Sequence, residues 1–220
     1  MTFILNFHGL GKCARAFEEG EEAYWLDAGR FEQCLDMVTK STAPVLLTFD
    51  DGNASDHDIA LPILQQRGLG AEFFVLAGKI GQPGYLTAEQ VRAIDAVQNC
   101  NIGSHGLHHR AWPDLDDADL RAEIFESKAM LEAIVGHGIN AAGLPFGRYD
   151  RRVLRALRQA GYTGAYSSDG GPRLRASWPT PRFSVRVDTD IAELAEMIRT
   201  SGSWLKRLRT ELRAGIKSHR

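Results

Sequence analysis

Short apolar segments alternate with amphipathic segments along most of this chain, and this alternation limits the possible folds more than any other feature. Alternation of strands and helices predicts a mainly parallel sheet, either open or closed into a barrel. In both arrangements, functional residues gather at the carboxyl ends of the strands. The strand-like segments are 3–7, 44–49, 71–77, 101–104, 139–146, 164–168 and 183–187.

The segments between these strands carry apolar residues at helical spacing. Thr87 and Gln90 have the spacing of a capping box and predict the start of one of these helices. The predicted helices lie around 31–38, 59–64, 87–97, 116–135, 150–157 and 191–198.

The chain length of 220 residues suits a single domain. We predict one α/β domain over 1–202, followed by a basic amphipathic helix over 203–220. In that last segment, Leu205, Leu208 and Leu212 form an apolar stripe flanked by arginine and lysine. Packing on the domain is the first interpretation of this helix, and contact with a membrane surface or a second copy of the chain is the alternative.

Composition excludes several classes of function. The net charge of −2 gives no indication of nucleic acid binding. The cysteines Cys13, Cys34 and Cys100 are odd in number and widely spaced, so buried free thiols are expected and not disulfides or a zinc site. The amino terminus lacks a basic region before its short apolar run, and no run is long enough to span a bilayer. These features predict a cytoplasmic protein.

The sequence TFDDG at 48–52 places two adjacent carboxylates, Asp50 and Asp51, at the end of an apolar strand. Like charges repel, and burial at a strand end adds to the cost. An ordinary Asp-Gly turn is one interpretation. A catalytic pair is the other, and it requires partners elsewhere in the chain.

The sequence SHGLHHR at 104–110 supplies possible partners. His105 and His109 are four residues apart, and on a helical turn that spacing puts both imidazoles on one face. With a carboxylate from another loop they would form a His₂Asp metal site that keeps a position open for water. A structural histidine pair is the alternative. His108 would point elsewhere and is not predicted to be a ligand.

Two carboxylates beside one cation can divide the work of hydrolysis. One binds the cation, and the other takes a proton from water. A bound cation lowers the pKa of water from about 15.7 toward about 7, so a carboxylate becomes an adequate base. Hydrolysis of an amide or an ester is the reaction that this pattern indicates.

The motifs TFDDG, SHGLHH and LPFGRYD, in this order, resemble those of polysaccharide deacetylases of carbohydrate esterase family 4. The resemblance spans roughly 44–170. It implies a distorted (β/α)7 barrel and a divalent metal, with zinc first and cobalt, manganese or iron as alternatives. By motif, Asp50 would be the general base, and the backbone N–H of Phe146 would help to hold an oxyanion. The implied metal ligands are Asp51, His105 and His109.

Two departures from the family pattern affect the expected site. Gly106 stands where the family often has a serine or threonine that supports the histidine loop. Gly143 stands where an arginine usually pairs with the base carboxylate. Arg182 is a candidate replacement for that arginine, acting through Asp169, and a surface arginine is the alternative.

The late histidine that serves as general acid in the family is also missing. His8 follows the first strand, and the first and last strands of a closed barrel are neighbours, so His8 is the candidate acid. A buried structural histidine is the alternative. Tyr24 and Trp25 are candidates for stacking on a sugar ring, with ordinary packing as the alternative.

These inferences predict a metal-dependent hydrolase that removes an N-acetyl group from a saccharide or a saccharide precursor, as in exopolysaccharide synthesis. Hydrolysis of a non-sugar amide, such as a ureide or an imide, is one alternative. A barrel that binds carbohydrate without catalysis is the other. The expected partner is an N-acetylated saccharide, and a homodimer is possible on this sequence.

Overall fold

A computed structural model describes residues 2–171 and 178–200. The helix predicted at 203–220 lies outside these residues. The strands are β1 Phe3–Phe7, β2 Val45–Phe49, β3 Glu72–Val75, β4 Asn101–Ser104, β5 Ala141–Gly143, β6 Gly164–Ser167, β7 Thr180–Pro181 and β8 Phe183–Ser184.

All neighbouring strands pair in parallel, in the order β7-β6-β5-β4-β3-β2-β1-β8. The two outermost strands are consecutive in the chain and are separated only by Arg182. Of these two strands, β7 pairs with β6 and β8 pairs with β1. The segment 180–184 therefore joins the two edges of the sheet, and the strands form a nearly closed barrel.

Helices cover the outside of the barrel. The α-helices are α1 Ala28–Lys40, α2 Leu61–Gln66, α3 Ala88–Asp95, α4 Asp117–Arg121, α5 Ser127–Val135, α6 Arg151–Gln159 and α7 Ile191–Arg199. A π-helical turn, Asp56–Ala60, leads directly into α2, and a second one, Ala122–Glu126, joins α4 to α5. Thr87 and Gln90 form the predicted capping box at the start of α3.

The core lies inside the barrel and between the strands and the helices. Phe7, Phe49 and Phe73 come from adjacent strands, and their rings stack in sequence at 5.4 and 4.8 Å between centroids. Phe31 of α1 meets Phe7 edge-on. This apolar layer packs between the strands and the helices, whereas Asn6 and Thr48, one residue earlier on β1 and β2, point to the opposite face, into the barrel.

The mainly parallel sheet predicted from the alternation is confirmed, and it forms the α/β barrel that the resemblance implied, with local differences. The strand expected over 139–146 is limited to β5, because Pro145 begins a single 3-10 turn, Pro145–Gly147. The strand expected over 183–187 begins earlier and is divided into β7 and β8. Cys34 and Cys100 are buried free thiols, as predicted, whereas Cys13 is free but only partly buried. A helix needs about 20 apolar residues to span a bilayer, and the described part of the chain has none that qualifies.

Candidate active site

A layer of polar side chains lies inside the barrel at matched positions of neighbouring strands. Asn6 of β1 is in register with Thr48 of β2 and with Ser184 of β8. Asn6 is fully buried, accepts a hydrogen bond from the Thr48 hydroxyl at 2.7 Å, and donates one to Asp50 Oδ2 at 2.9 Å. The strands therefore hold Asp50 from the side of the barrel interior.

Arg182 forms a two-point ion pair with Asp50. Its Nη1 and Nη2 lie 2.7 and 2.8 Å from the two carboxylate oxygens, and the arginine is completely buried. Nη1 also donates to Asn6 Oδ1 at 2.9 Å. The predicted route through Asp169 is wrong, because Arg182 contacts Asp50 directly. The Asp169 carboxylate instead accepts hydrogen bonds from Tyr149 and Ser167.

The space beside Gly143 is already filled by neighbouring side chains, and the positively charged partner of Asp50 comes from another strand. A Cβ at residue 143 would lie 2.9 Å from Nδ1 of His105 and 2.9 Å from the Phe74 ring. The Arg182 guanidinium lies over the same Phe74 ring, 5.0 Å from its centroid. Arg182 thus enters from the closing strand and reaches the carboxylate that an arginine at 143 would otherwise meet.

The ion pair determines the charge on Asp50. Burial alone would raise the pKa of Asp50, but the Arg182 guanidinium and the nearby His105 outweigh burial and hold this pKa well below its ordinary value. Asp50 is therefore ionised at neutral pH although its side chain is only 4% exposed.

Asp51, His105 and His109 converge beside this pair. Asp51 Oδ1 lies 3.5 Å from Nε2 of His105 and 3.5 Å from Nε2 of His109. One ligand atom from each residue lies within 4.8 Å of the other two. Asp50 Oδ2 is 4.0 Å from His105 Nε2, so the second carboxylate faces the same space.

The other ring nitrogen of each histidine is held by the protein. Nδ1 of His105 is 2.9 Å from the carbonyl oxygen of Gly143. Nδ1 of His109 is 2.8 Å from a carboxylate oxygen of Glu18. Each partner accepts a hydrogen bond from the Nδ1–H group, which leaves Nε2 of the neutral ring with a lone pair directed into the space beside Asp51.

The backbone is strained at several positions of this cluster. Asp51, His109 and Phe146 have φ values of 77°, 54° and 57°, in the left-handed region that residues other than glycine rarely adopt. Such conformations cost about 1–3 kcal/mol each and persist where the surrounding structure enforces them, typically at functional sites. All of these residues line one cleft.

Electrostatics distinguish the two histidines. Burial lowers the pKa of His105 more than the nearby Asp50 and Asp51 raise it. Burial also opposes the charged form of His109, but Asp51 and Glu18 outweigh burial, and the pKa of His109 is raised. His109, the more exposed of the two imidazoles, therefore lies in the more negatively charged surroundings.

The donor set fits a divalent cation. Asp51 Oδ1 is buried and has no hydrogen-bond partner among the described residues, although it faces two imidazole nitrogens. A buried carboxylate oxygen without a partner is costly unless a cation or water satisfies it. One carboxylate with two imidazoles is a common ligand set for zinc in sites that leave a position open.

The cleft above the cluster contains other predicted residues. His8 lines it, with its ring 4.8 Å from that of Tyr24 between centroids. Nδ1 of His8 is buried and, among the residues described, has no hydrogen-bond partner. Phe146 is 57% exposed, and its ring stacks on His109 at 4.3 Å. The structure thus brings His8 and Phe146 to the cluster.

Trp25 does not line this cleft, contrary to its predicted position beside a substrate. Its indole packs against Gly9, where a Cβ would come within 2.1 Å of the ring, and its Nε1 donates to the Gly11 carbonyl at 2.8 Å. It lines a separate depression. Tyr24, the neighbouring aromatic residue, lines the cleft.

Sequence reasoning missed two carboxylates that hold the histidine loop. Glu18 contacts His109 as described above. The buried Glu123 accepts backbone hydrogen bonds from Leu107 at 2.7 Å and from His108 at 3.3 Å. A Cβ at Gly106 would lie 2.5 Å from the same Glu123 oxygen, so the carboxylate occupies the space beside this glycine. Both glutamates lie far from the motifs in sequence, and only the fold shows their role.

Asp56 was also missed, and it has a different character. It is fully buried in the π-helical turn, and neither carboxylate oxygen has a hydrogen-bond partner in the part of the chain that is described. Burial and the charges of Asp51 and Asp50 raise the pKa of Asp56 well above its ordinary value. Asp56 lies outside the cleft, and its surroundings favour the protonated carboxyl group.

Comparison with known proteins agrees with this arrangement. YxkH of Bacillus subtilis (strain 168) is 27% identical over 197 residues, which cover 84% of this chain and 70% of YxkH. The Streptococcus pyogenes deacetylase PplD, solved in complex with acetate, superposes with a TM-score of 0.75 at 19% identity, over 89% of this chain and 97% of PplD. IcaB from Ammonifex degensii gives 0.74 at 19% identity, over 90% of this chain and 97% of IcaB. At this identity, the superpositions show a shared fold.

The family model described as polysaccharide deacetylase matches residues 38–165. This range is more than half of the sequence, and it includes the strands and loops that carry both aspartates, both histidines and Phe146. The chain belongs to the polysaccharide deacetylase family and is a hydrolase of carbon–nitrogen bonds other than peptide bonds.

Proposed function

We propose that this protein is a divalent-metal-dependent deacetylase that removes an N-acetyl group from a saccharide or a saccharide precursor. One observation carries the proposal: an ionised, buried Asp50 lies directly beside three potential ligands whose donor atoms lie within 4.8 Å of one another. The membership of the family supports the acetylated saccharide as substrate.

In the proposed site, Asp51, His105 and His109 hold the cation, and zinc suits a set of one carboxylate and two imidazoles. Cobalt, manganese and iron are alternatives for the same donors. An ion held there would polarise the substrate carbonyl and make a bound water more acidic. The Nδ1 contacts to Gly143 and Glu18 keep both Nε2 atoms available.

The remaining residues of the cleft would carry out the proton transfers. Asp50 accepts a proton from water as the water oxygen bonds to the carbonyl carbon. The backbone N–H of Phe146 donates to the negative carbonyl oxygen of the tetrahedral intermediate. His8 gives a proton to the amide nitrogen as the C–N bond breaks. The products are acetate and a free amine on the saccharide.

Metal and acetate assays test this proposal. We expect the purified protein to release acetate from an N-acetylated oligosaccharide, to lose this activity after chelation, and to regain it with Zn²⁺ or Co²⁺. His105→Ala should weaken Zn²⁺ binding by more than the roughly 10–100-fold that follows loss of a residue supporting a ligand. His137→Ala is the matched control, since His137 lies on the surface and pairs with Asp95.

Other outcomes of the same assays would contradict the proposal. Hydrolysis of a ureide or an imide to the corresponding carboxylate, without acetate release from saccharides, would identify a different amide substrate. Binding of saccharide and metal without hydrolysis would identify a carbohydrate-binding barrel. Equal Zn²⁺ affinity of the His105→Ala variant and the unaltered protein would reject the ligand set.

Replacement of His8 tests the proposed acid. We expect His8→Ala to lower kcat by about 100-fold, within the 10²–10⁴-fold range of general acid–base catalysis, while Zn²⁺ affinity stays unchanged. The loss should be smaller for a substrate whose leaving group needs no proton, such as an activated acetyl ester. Unchanged turnover of the amide in a variant that still binds metal would remove His8 from the mechanism.

A further inference from the structure

The segment 15–21 precedes β2 and contributes a side chain to the cluster that none of the three motifs contains. We propose that Glu18 is a positioning residue for His109, and that this segment is part of the metal centre. This inference rests on the proposed function, because it assigns the support of one proposed metal ligand. Glu18 would not touch the cation or the substrate carbonyl.

The geometry at His109 carries the proposal. Glu18 Oε2 lies 2.8 Å from Nδ1 of His109, and Nε2 of the same ring lies 3.5 Å from Asp51 Oδ1. The carboxylate thus fixes the tautomer and the rotation of the ring that present Nε2 to the cation. A carboxylate on the far nitrogen also makes the imidazole a more basic ligand, and loss of such a partner typically costs about 10–100-fold in metal affinity.

Glu18 is held in place by its own segment. Its backbone N–H donates to Glu21 Oε2 at 2.8 Å. Glu21 in turn forms a two-point ion pair with Arg15, whose side chain is only 12% exposed. Arg15 donates to Asn53 Oδ1 at 3.0 Å and lies over the ring of Tyr85 at 4.5 Å.

These contacts connect the segment to the turn that carries Asp51. Asn53 lies two residues after Asp51, and its side chain is fully buried. The partner of His109 is therefore anchored to the same part of the barrel as the carboxylate ligand. An isolated surface pair lacks such support and contributes only about 0–1 kcal/mol. His137 and Asp95 illustrate that case, with the His137 side chain 55% exposed.

Zn²⁺ affinity, measured by competition with a chelator, tests this role without relying on turnover. We expect Glu18→Ala to weaken Zn²⁺ binding by about 10–100-fold. Glu18→Gln should fall between Glu18→Ala and the unaltered protein, because its amide oxygen still accepts from Nδ1 but carries no charge. Glu22→Ala is the matched control, since Glu22 is exposed on the neighbouring turn and does not line the cleft.

Two further measurements separate positioning from a distant charge effect. The visible absorption of the Co²⁺-loaded protein should change in Glu18→Ala and stay the same in Glu22→Ala, because only the former alters the orientation of a ligand. The loss of Zn²⁺ affinity should be similar at about 0.05 and 0.5 M salt, since a hydrogen bond is screened less than a distant charge.

The inference is overturned if Glu18→Ala and Glu22→Ala bind Zn²⁺ with equal affinity, or if the loss disappears at high salt. In either case, the proposed function stands as long as His105→Ala weakens binding. If the unaltered protein binds no divalent cation, both proposals fail together.

Discussion

Replacing Arg182 with methionine lowers the free energy of unfolding by about 3–5 kcal/mol, the usual cost of removing one partner of a buried ion pair. Arg182 is completely buried, and the Asp50 side chain is 4% exposed, so water cannot replace the lost guanidinium. Methionine keeps an apolar contact with the Phe74 ring. The decrease in the free energy of unfolding therefore comes mainly from the loss of the positive charge. Urea unfolding of the metal-free protein at neutral pH measures it.

The effect of Arg182→Met should depend on pH in a defined direction. The pKa of Asp50 is depressed in the folded protein, so the ion pair contributes stability above the unfolded pKa of about 4, and this contribution is lost as pH falls through the folded pKa. Without Arg182, burial raises the pKa of Asp50. The difference in stability between the two proteins should therefore begin to narrow as pH falls through the raised pKa of Asp50 in the variant, and should narrow further below about 4.

Two further variants control this experiment. Arg186→Met removes an arginine nearby in sequence that pairs with Asp188 on the surface, and it should change stability by no more than about 1 kcal/mol. The double variant Arg182→Met with Asp50→Asn should be more stable than Arg182→Met alone, because asparagine leaves no charge without a partner. Equal stability of Arg182→Met and Arg186→Met would show that the buried pair does not stabilise the fold.

Asp50→Asn should lower kcat by at least about 100-fold while Zn²⁺ affinity changes little, because the substitution removes the proposed base and keeps the proposed ligands. Asparagine has nearly the same shape as aspartate, and its amide oxygen still accepts from Arg182. Acetate release under saturating substrate, with metal content measured on the same sample, gives both quantities.

Asp56→Asn is the matched control for this substitution. Asp56 is the same residue type, is also buried, and lies six residues further along the chain, but it does not line the cleft. Because Asp56 does not line the cleft and its surroundings favour the protonated carboxyl group, an amide of nearly the same shape should leave turnover unchanged. If Asp50→Asn retains turnover like Asp56→Asn, Asp50 is not the base.

The sequence predicts the barrel and the central cluster because both depend on local patterns. Short apolar runs and helical spacing identify the strands and helices, and TFDDG and SHGLHH each place two polar residues at a strand end. A parallel barrel brings its strand ends together, so Asp51 and His105 meet although they are far apart in the chain. The roles given to these residues remain predictions for the experiments above.

Long-range contacts were harder to predict. The contact between Arg182 and Asp50 joins residues 132 positions apart, and it depends on how the last strands close the barrel. Glu18 lies 91 positions from His109, in a segment without a regular pattern. Asn6 had a visible signal, since an asparagine inside an apolar strand requires a buried partner. Tyr24 and Trp25 were both assigned to the cleft on residue type alone. Tyr24 lies there, whereas Trp25 packs against Gly9 and lies outside the cleft.

The division of the last strand around Arg182 links the assembly of the molecule to its chemistry. The same five residues, 180–184, pair with both edges of the sheet and deliver the cation that neutralises Asp50. A partly folded chain in which this segment has not yet docked would have an open seam and an acidic interior without its counterion. Competence for catalysis therefore requires this segment to be docked, and we expect a fragment that ends before residue 180 to be inactive even if its first six strands form.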